Sequence, residues 1–216
     1  MSGNSPALFL DFDGTVTEED TLVLLLDRFG RALPDGRDWR AIEFDESLPE
    51  NVKLQAELDL LEVGLDEALA WLDGVARLRA GFDRFLDWTE GRGLRPTILS
   101  GGLEPIIARL LGPRAARVEL RANGLEIENG RWIVQAAPSP RIRNQCNHCK
   151  TWHLRQAGDR PLVYIGDGAT DFCPARAADR VFARSSLAAQ LAAEGRRFTP
   201  FTTFVDVIED LERGGL

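Results

Sequence analysis

Three stretches of the chain gather acids, glycines and hydroxyls at spacings that chemistry can use. Asp11-Phe12-Asp13-Gly14-Thr15 follows one apolar run and Ser100-Gly101-Gly102 follows a second. Gly166-Asp167-Gly168-Ala169-Thr170-Asp171 follows a third. Asp11 and Asp13 are two apart, so in extended chain they lean to the same side. If the first and third runs are neighbours, Asp11, Asp13 and Asp167 converge. Alone, that is unfavourable: two like charges ~4 Å apart repel by about 4 kcal/mol at an effective dielectric of about 20. A divalent cation reverses the sign, and an all-oxygen donor set favours Mg²⁺ over Zn²⁺. Ser100 and the backbone N–H groups of Gly101 and Gly102 read as the opening of a helix, which is an anion site. Lys150 adds a point charge. Together these residues form a seat for a phosphoryl group with a carboxylate placed to attack it. Such a nucleophile needs no base, while metal and donors offset the repulsion between two anions.

Short strands must carry these residues. Ala7 to Phe12, Pro96 to Leu99 and Leu162 to Ile165 are continuous apolar runs, with Arg180 to Ala183 a weaker fourth. Continuous rather than alternating runs suit strands buried on both faces of a parallel sheet. Helical patterns lie between them, at Phe82, Phe85, Leu86 and Trp88, and over Leu103 to Leu111 with Pro105 in the first turn. The alternation predicts an α/β doubly wound core, whose ligands bind beyond the carboxyl ends of the strands. Two stretches break it. Glu18 to about Leu78 has helical leucine spacing and no strand signal, and reads as a small helical insert. Val118 to Gln135 alternates apolar and polar residues around Asn129-Gly130, a hairpin signal.

Composition narrows the partners. The 216 residues suffice for one generous domain, with 44% hydrophobic and 28% charged residues. The net charge of −8 argues against a nucleic-acid surface or an anionic membrane face. No run approaches the ~20 apolar residues of a membrane span. Three cysteines in a chain this large point to a reducing, cytoplasmic setting rather than a disulfide framework. The opening Met1-Ser2-Gly3-Asn4-Ser5-Pro6 lacks the basic start of a secretory signal.

In their order, Asp-x-Asp-Gly-Thr, Ser-Gly-Gly, Lys and Gly-Asp-Gly-x-x-Asp resemble the haloacid dehalogenase (HAD) superfamily of phosphatases. The resemblance covers most of the chain outside the insert. It implies a Rossmann-like core over residues 1–17 and 79–216 and a helical cap over 18–78. It implies a Mg²⁺-dependent phosphomonoesterase that works on a small phosphorylated metabolite through an aspartyl-phosphate. By it, Asp11 is the nucleophile, and Asp13 protonates the leaving oxygen and then activates water. Ser100, Gly101 and Lys150 hold phosphate oxygens. Asp11, the Asp13 backbone carbonyl and Asp167 bind the metal, with Asp171 and Thr15 in support. An acid at position 13 favours a phosphatase over family members that only transfer or dehalogenate.

The position of the insert and the hairpin resemble the phosphoserine phosphatase-like branch. There, Asp20 takes the place of a Glu that holds the substrate ammonium. Glu57 falls near an Arg that holds the substrate carboxylate, and a Glu there repels one. Gly14, Asp20, the Cys pair before Lys150 and Phe182-Ala183-Arg184 resemble the methionine-salvage phosphatases for 2-hydroxy-3-keto-5-methylthiopentenyl 1-phosphate. Phosphoserine, phosphoethanolamine and phosphocholine phosphatases are the alternatives. Outside catalysis, the alternative is a metal- or partner-binding protein on the same fold.

Cys146, His148, Cys149 and His153 can be read as zinc ligands or Cys146 and Cys149 as a redox pair, but structural zinc usually joins two separated ligand clusters. Packing around Lys150 is the simpler reading. Trp39, Trp71 and Trp88 read as packing residues, and Trp152 as packing or as pocket lining. Cys173 reads as a small buried residue.

Overall fold

The computed structural model describes residues 5–137 and 148–214. Cys146 therefore lies outside the described residues. The chain begins with β1 (Ala7–Leu10) and then leaves the α/β pattern for four helices: α1 (Thr21–Phe29), α2 (Arg40–Glu43), α3 (Glu50–Leu58) and α4 (Leu65–Val75). It returns through α5 (Phe82–Glu90), β2 (Thr97–Leu103) and α6 (Glu104–Leu111) to an antiparallel hairpin, β3 (Glu119–Glu128) and β4 (Arg131–Gln135). The rest alternates: α7 (Lys150–Arg155), β5 (Leu162–Gly166), α8 (Phe172–Ala177), β6 (Arg180–Ala183), α9 (Ser185–Ala193), β7 (Thr199–Pro200) and α10 (Phe204–Gly214).

The described strands form one sheet in the order β4-β3-β2-β1-β5-β6-β7, parallel except for β4. Strand periodicity sorts the side chains to two faces. Leu8, Leu10, Ile98, Val163 and Ile165 join Phe82, Phe85, Phe204 and Val207 of α5 and α10. Ala7, Phe9, Leu99 and Tyr164 join Leu154, Phe172, Leu187 and Leu191 of α7, α8 and α9. With both faces covered, β1, β5 and β6 are buried along almost their whole length, which is why their apolar runs do not alternate. Each fully buried Leu or Phe contributes about 1.5–3 kcal/mol of transfer free energy.

Local chemistry fixes the other elements. Asn129 and Gly130 both take positive φ, 50° and 81°, as a two-residue hairpin turn of type I′ requires. Asp20 caps α1, its Oδ1 accepting the N–H groups of Leu22 and Val23 at 2.8 and 3.0 Å. The four-helix insert packs Leu25, Leu26, Leu54, Leu58, Ala68 and Leu72 against Leu103, Ile106 and Trp132. Gln55 of α3 reaches the hairpin twice. Its Nε2 donates to the Trp132 carbonyl at 2.9 Å, and its Oε1 accepts the Val134 N–H at 3.0 Å. Trp132 Nε1 donates to the Val63 carbonyl at 2.9 Å, so Trp132 ties hairpin to insert. The insert starts and ends side by side, at a bridge between Thr17 and Leu78.

The fold departs from the sequence expectations at β2 and at Cys173. Ser100-Gly101-Gly102 does not open a helix. The strand continues through a register shift to Leu103, which pairs with Asn123, and α6 starts at Glu104. Cys173 is half-buried rather than buried. No helix among the described residues is long and apolar enough to cross a membrane.

Candidate active site

The pairing of β1 with both β2 and β5 brings Asp11, Ser100 and Asp167 to one end of the sheet. Asp11, Asp167 and Asp171 each place a carboxylate oxygen within 4.8 Å of the other two. Lys150, the first residue of α7, is buried among them. Its Nζ donates to Asp11 Oδ1 at 2.5 Å and to Asp171 Oδ1 at 2.7 Å, with Thr170 Oγ1 at 3.4 Å. Burial pulls the Lys150 ammonium down, but Asp11 and Asp171 outweigh it and hold it above its ordinary value. Burial drives Asp11 well up, and the charge on Asp171 adds to the push against the pull of Lys150. Burial and Asp171 raise Asp167 too. Three acids and one ammonium thus leave surplus negative charge in a nearly dry place. An all-oxygen cluster of this kind fits a hard divalent ion such as Mg²⁺.

Asp171 is fully committed. Its Oδ1 accepts from Lys150 and from the Tyr164 hydroxyl at 2.6 Å, and its Oδ2 accepts the N–H groups of Asp167 and Gly168 at 2.9 and 3.0 Å. Thr15 Oγ1 donates to Asp167 Oδ1 at 2.9 Å. Gly14 has φ of +72°, and a Cβ there would lie 2.4 Å from Asp167 Oδ2, so backbone conformation and close approach both require glycine.

Asp13 stands apart from this cluster. Its Oδ1 accepts the N–H and hydroxyl of Thr21 at 2.9 and 2.6 Å, at the first turn of α1. Burial raises its carboxyl, and the Thr21 and Ser100 bonds pull the other way. Ser100 is buried, and its Oγ accepts the Gly102 N–H at 2.9 Å. The carbonyls of Ser100 and Gly101 are held from outside, by His148 Nδ1 and Asn123 Nδ2, both at 2.7 Å. His148 Nε2 meets His153 Nε2 at 2.7 Å. The Nδ1–H of His148 donates to the Ser100 carbonyl, so its Nε2 must accept and His153 must donate. Burial and His148 drive His153 down to about 4, in keeping with two neutral rings. Among the described residues no three of His148, His153 and the cysteines form a metal-ligand group. Trp152 lines a groove of about 540 Å³ with His153, Phe9 and Arg121, a groove to which none of Asp11, Asp13, Asp167 and Asp171 contributes.

Several contributors escaped the sequence reading. Thr21 and Tyr164 bind the acids directly. Arg79, just past the insert, donates to the carbonyls of Thr15 at 2.7 Å, Gly14 at 2.7 Å and Thr17 at 2.9 Å. Arg184 adds a donor to the Gly14 carbonyl at 3.0 Å. No sequence signal marked Arg79, because its burial and its bonds to backbone carbonyls exist only in the fold. Asp20 is exposed at the start of α1, where the surrounding protein atoms and Asp13 push its carboxyl up against the N–H donors of the helix.

Residues 8–176 match the family described as haloacid dehalogenase-like hydrolase. The chain belongs to that family. Among similar proteins, the 2-hydroxy-3-keto-5-methylthiopentenyl-1-phosphate phosphatase of Geobacillus kaustophilus (strain HTA426) is 35% identical, covering 95% of each chain. The protein of the same name from Geobacillus thermodenitrificans (strain NG80-2) is 34% identical, again over 95% of each. A phospho-aspartyl intermediate analogue structure of phosphoserine phosphatase superposes with a TM-score of 0.68 at 15% identity, covering 95% of this chain and 98% of that one. At that identity the likeness concerns the fold. As a haloacid dehalogenase-like hydrolase the chain is an enzyme, and the acid cluster lies at the strand ends where a doubly wound sheet binds its ligands.

Proposed function

We propose that this enzyme is a Mg²⁺-dependent phosphomonoesterase acting through an aspartyl-phosphate on Asp11, with 2-hydroxy-3-keto-5-methylthiopentenyl 1-phosphate as its substrate. The observation that carries the reading is Lys150 held between Asp11 and Asp171 beside Asp167, in a chain whose relatives bear that phosphatase name.

Asp11 and Asp167 are the carboxylates that would hold Mg²⁺, with the Asp13 backbone carbonyl, because Asp171 already spends both oxygens. When bound, Mg²⁺ neutralises charge on the phosphoryl oxygens and on the carboxylates around them. Asp171 works by fixing Lys150, and Lys150 with Ser100 and Gly101 holds phosphoryl oxygens. Asp11 attacks phosphorus, the P–O bond to the leaving group breaks, and Asp13 supplies the proton that the departing oxygen needs. A raised carboxyl suits that task. Asp13 then takes a proton from the water that attacks the aspartyl-phosphate, which releases phosphate and restores Asp11. Thr21 steers Asp13 through this exchange, and Thr15 steers Asp167. We assign residues 18–78 as a cap over this site, with 1–17 and 79–216 as the core, and Asp20 as a cap residue facing the leaving group.

The test is hydrolysis of the salvage phosphate, phosphoserine and an aryl phosphate, each with Mg²⁺ and with chelator. Turnover that needs Mg²⁺ and is highest for the salvage phosphate is expected. Asp11→Asn should bring turnover below detection while the protein stays folded, and appreciable residual activity would refute the nucleophile assignment.

A further inference from the structure

Helix α3 docks on the hairpin through Leu54, Gln55 and Leu58, and it also carries Glu57. Glu57 is only 4% exposed, and its Oε1 has no hydrogen-bond partner. The neighbours that act on it are acids. Glu43 shares a hydrogen bond with it, and Asp20 and Glu50 repel it. Lys53, one turn earlier on the helix, gives its ammonium to the Glu43 carbonyl at 2.7 Å and to Glu50 at 3.3 Å. A buried acceptor with no donor is costly, and native structures rarely keep one without a reason. Glu57 also connects to the chemistry. It interacts with Asp20, Asp20 with Asp13, and Thr21 beside Asp20 binds Asp13.

We propose that Glu57 is a specificity-determining residue whose Oε1 accepts a hydrogen bond from a hydroxyl on the leaving group. The inference rests on the phosphomonoesterase reading and deepens it. One orphan acceptor calls for one donor. Burial and Glu43 push Glu57 up to about 8, so Glu57 already keeps a proton at neutral pH. A neutral hydroxyl meets Oε1 without disturbing that proton. An ammonium would displace it, and a carboxylate would bring a further negative charge beside Asp20. The relatives' substrate, named as a hydroxy-keto phosphate, has the required group.

The full-length enzyme with Mg²⁺ is assayed on glycerol 1-phosphate, phosphoethanolamine, phosphoglycolate and p-nitrophenyl phosphate, as wild type, Glu57→Gln and Glu57→Leu. Wild type should favour the hydroxyl-bearing ester over the ammonium- and carboxylate-bearing ones. In Glu57→Leu the KM for glycerol 1-phosphate should rise about tenfold relative to that for the aryl ester, as one lost hydrogen bond implies. Glu57→Gln, whose amide oxygen still accepts, should recover most of that loss. Glu57→Ala replaces the leucine variant if it does not fold. An equal change for all four esters would reduce Glu57 to a packing residue, and a preference for the ammonium or carboxylate ester would overturn the assignment. If wild type hydrolyses no ester, aryl phosphate included, the underlying phosphatase reading fails first.

Discussion

Two neighbouring aspartates receive opposite treatment from the fold. Asp11 faces an ammonium and two other acids, whereas Asp13 is turned to a hydroxyl and an N–H at a helix start. That division suits a nucleophile and a proton carrier. Asp13→Asn should therefore slow an alkyl phosphate, whose leaving oxygen needs the proton, by about 10²–10⁴-fold. An aryl phosphate, which departs as a weakly basic phenolate, should be slowed much less. Steady-state rates across a leaving-group series check this, and uniform slowing would remove Asp13 from the acid role. The acids were legible in the sequence because their spacing matters before folding: Asp11 and Asp13 share a side of extended chain. Their partners were not. Tyr164 and Thr21 look like an ordinary strand tyrosine and helix-start threonine, and only the fold brings Tyr164 onto Asp171 and Thr21 onto Asp13.

At the scale of elements, the hairpin and α3 form the joint that positions the four-helix insert. Gln55 satisfies two backbone groups of β4 with one side chain. Gln55→Ala leaves the Val134 N–H and the Trp132 carbonyl to find other partners, so the folded state should lose about 1–3 kcal/mol. A denaturant titration with an unchanged slope reads that loss, and an unchanged midpoint would mean that apolar packing alone holds the joint. The hairpin was readable from Asn129-Gly130, since both residues must accept positive φ. The end of β2 was not. A strand that runs through Ser-Gly-Gly by a bulge has the same local signals as one that stops there, and the deciding partner, Asn123 on β3, is distant in sequence.

For the whole molecule, buried acids set how stability responds to pH. Glu57 is buried and held up to about 8 when folded, against an ordinary value of 4.5. The folded chain thus binds more protons than the unfolded chain between those values, and stability falls as pH rises through that window. Glu57→Gln removes one such group. Its thermal midpoint should exceed that of wild type by more at about pH 8.5 than at about pH 5. Equal differences at both would mean that Glu57 ionises freely. The α/β architecture followed from apolar runs because burial on both faces leaves a mark on every strand. The insert's surroundings left none, since an acid at helical spacing looks the same in solvent and under a neighbouring helix.

Arg79 holds the backbone at residues 14, 15 and 17, and it stands immediately after Leu78, which pairs with Thr17. The two crossings between sheet layer and helices are therefore fastened at a single guanidinium. Sixty or so residues can be shortened, lengthened or exchanged between those points without rerouting either strand beyond them. The two covalent links of the helices to the sheet both lie beside the turn that carries Gly14. The helices can diversify there while the acid cluster keeps its geometry.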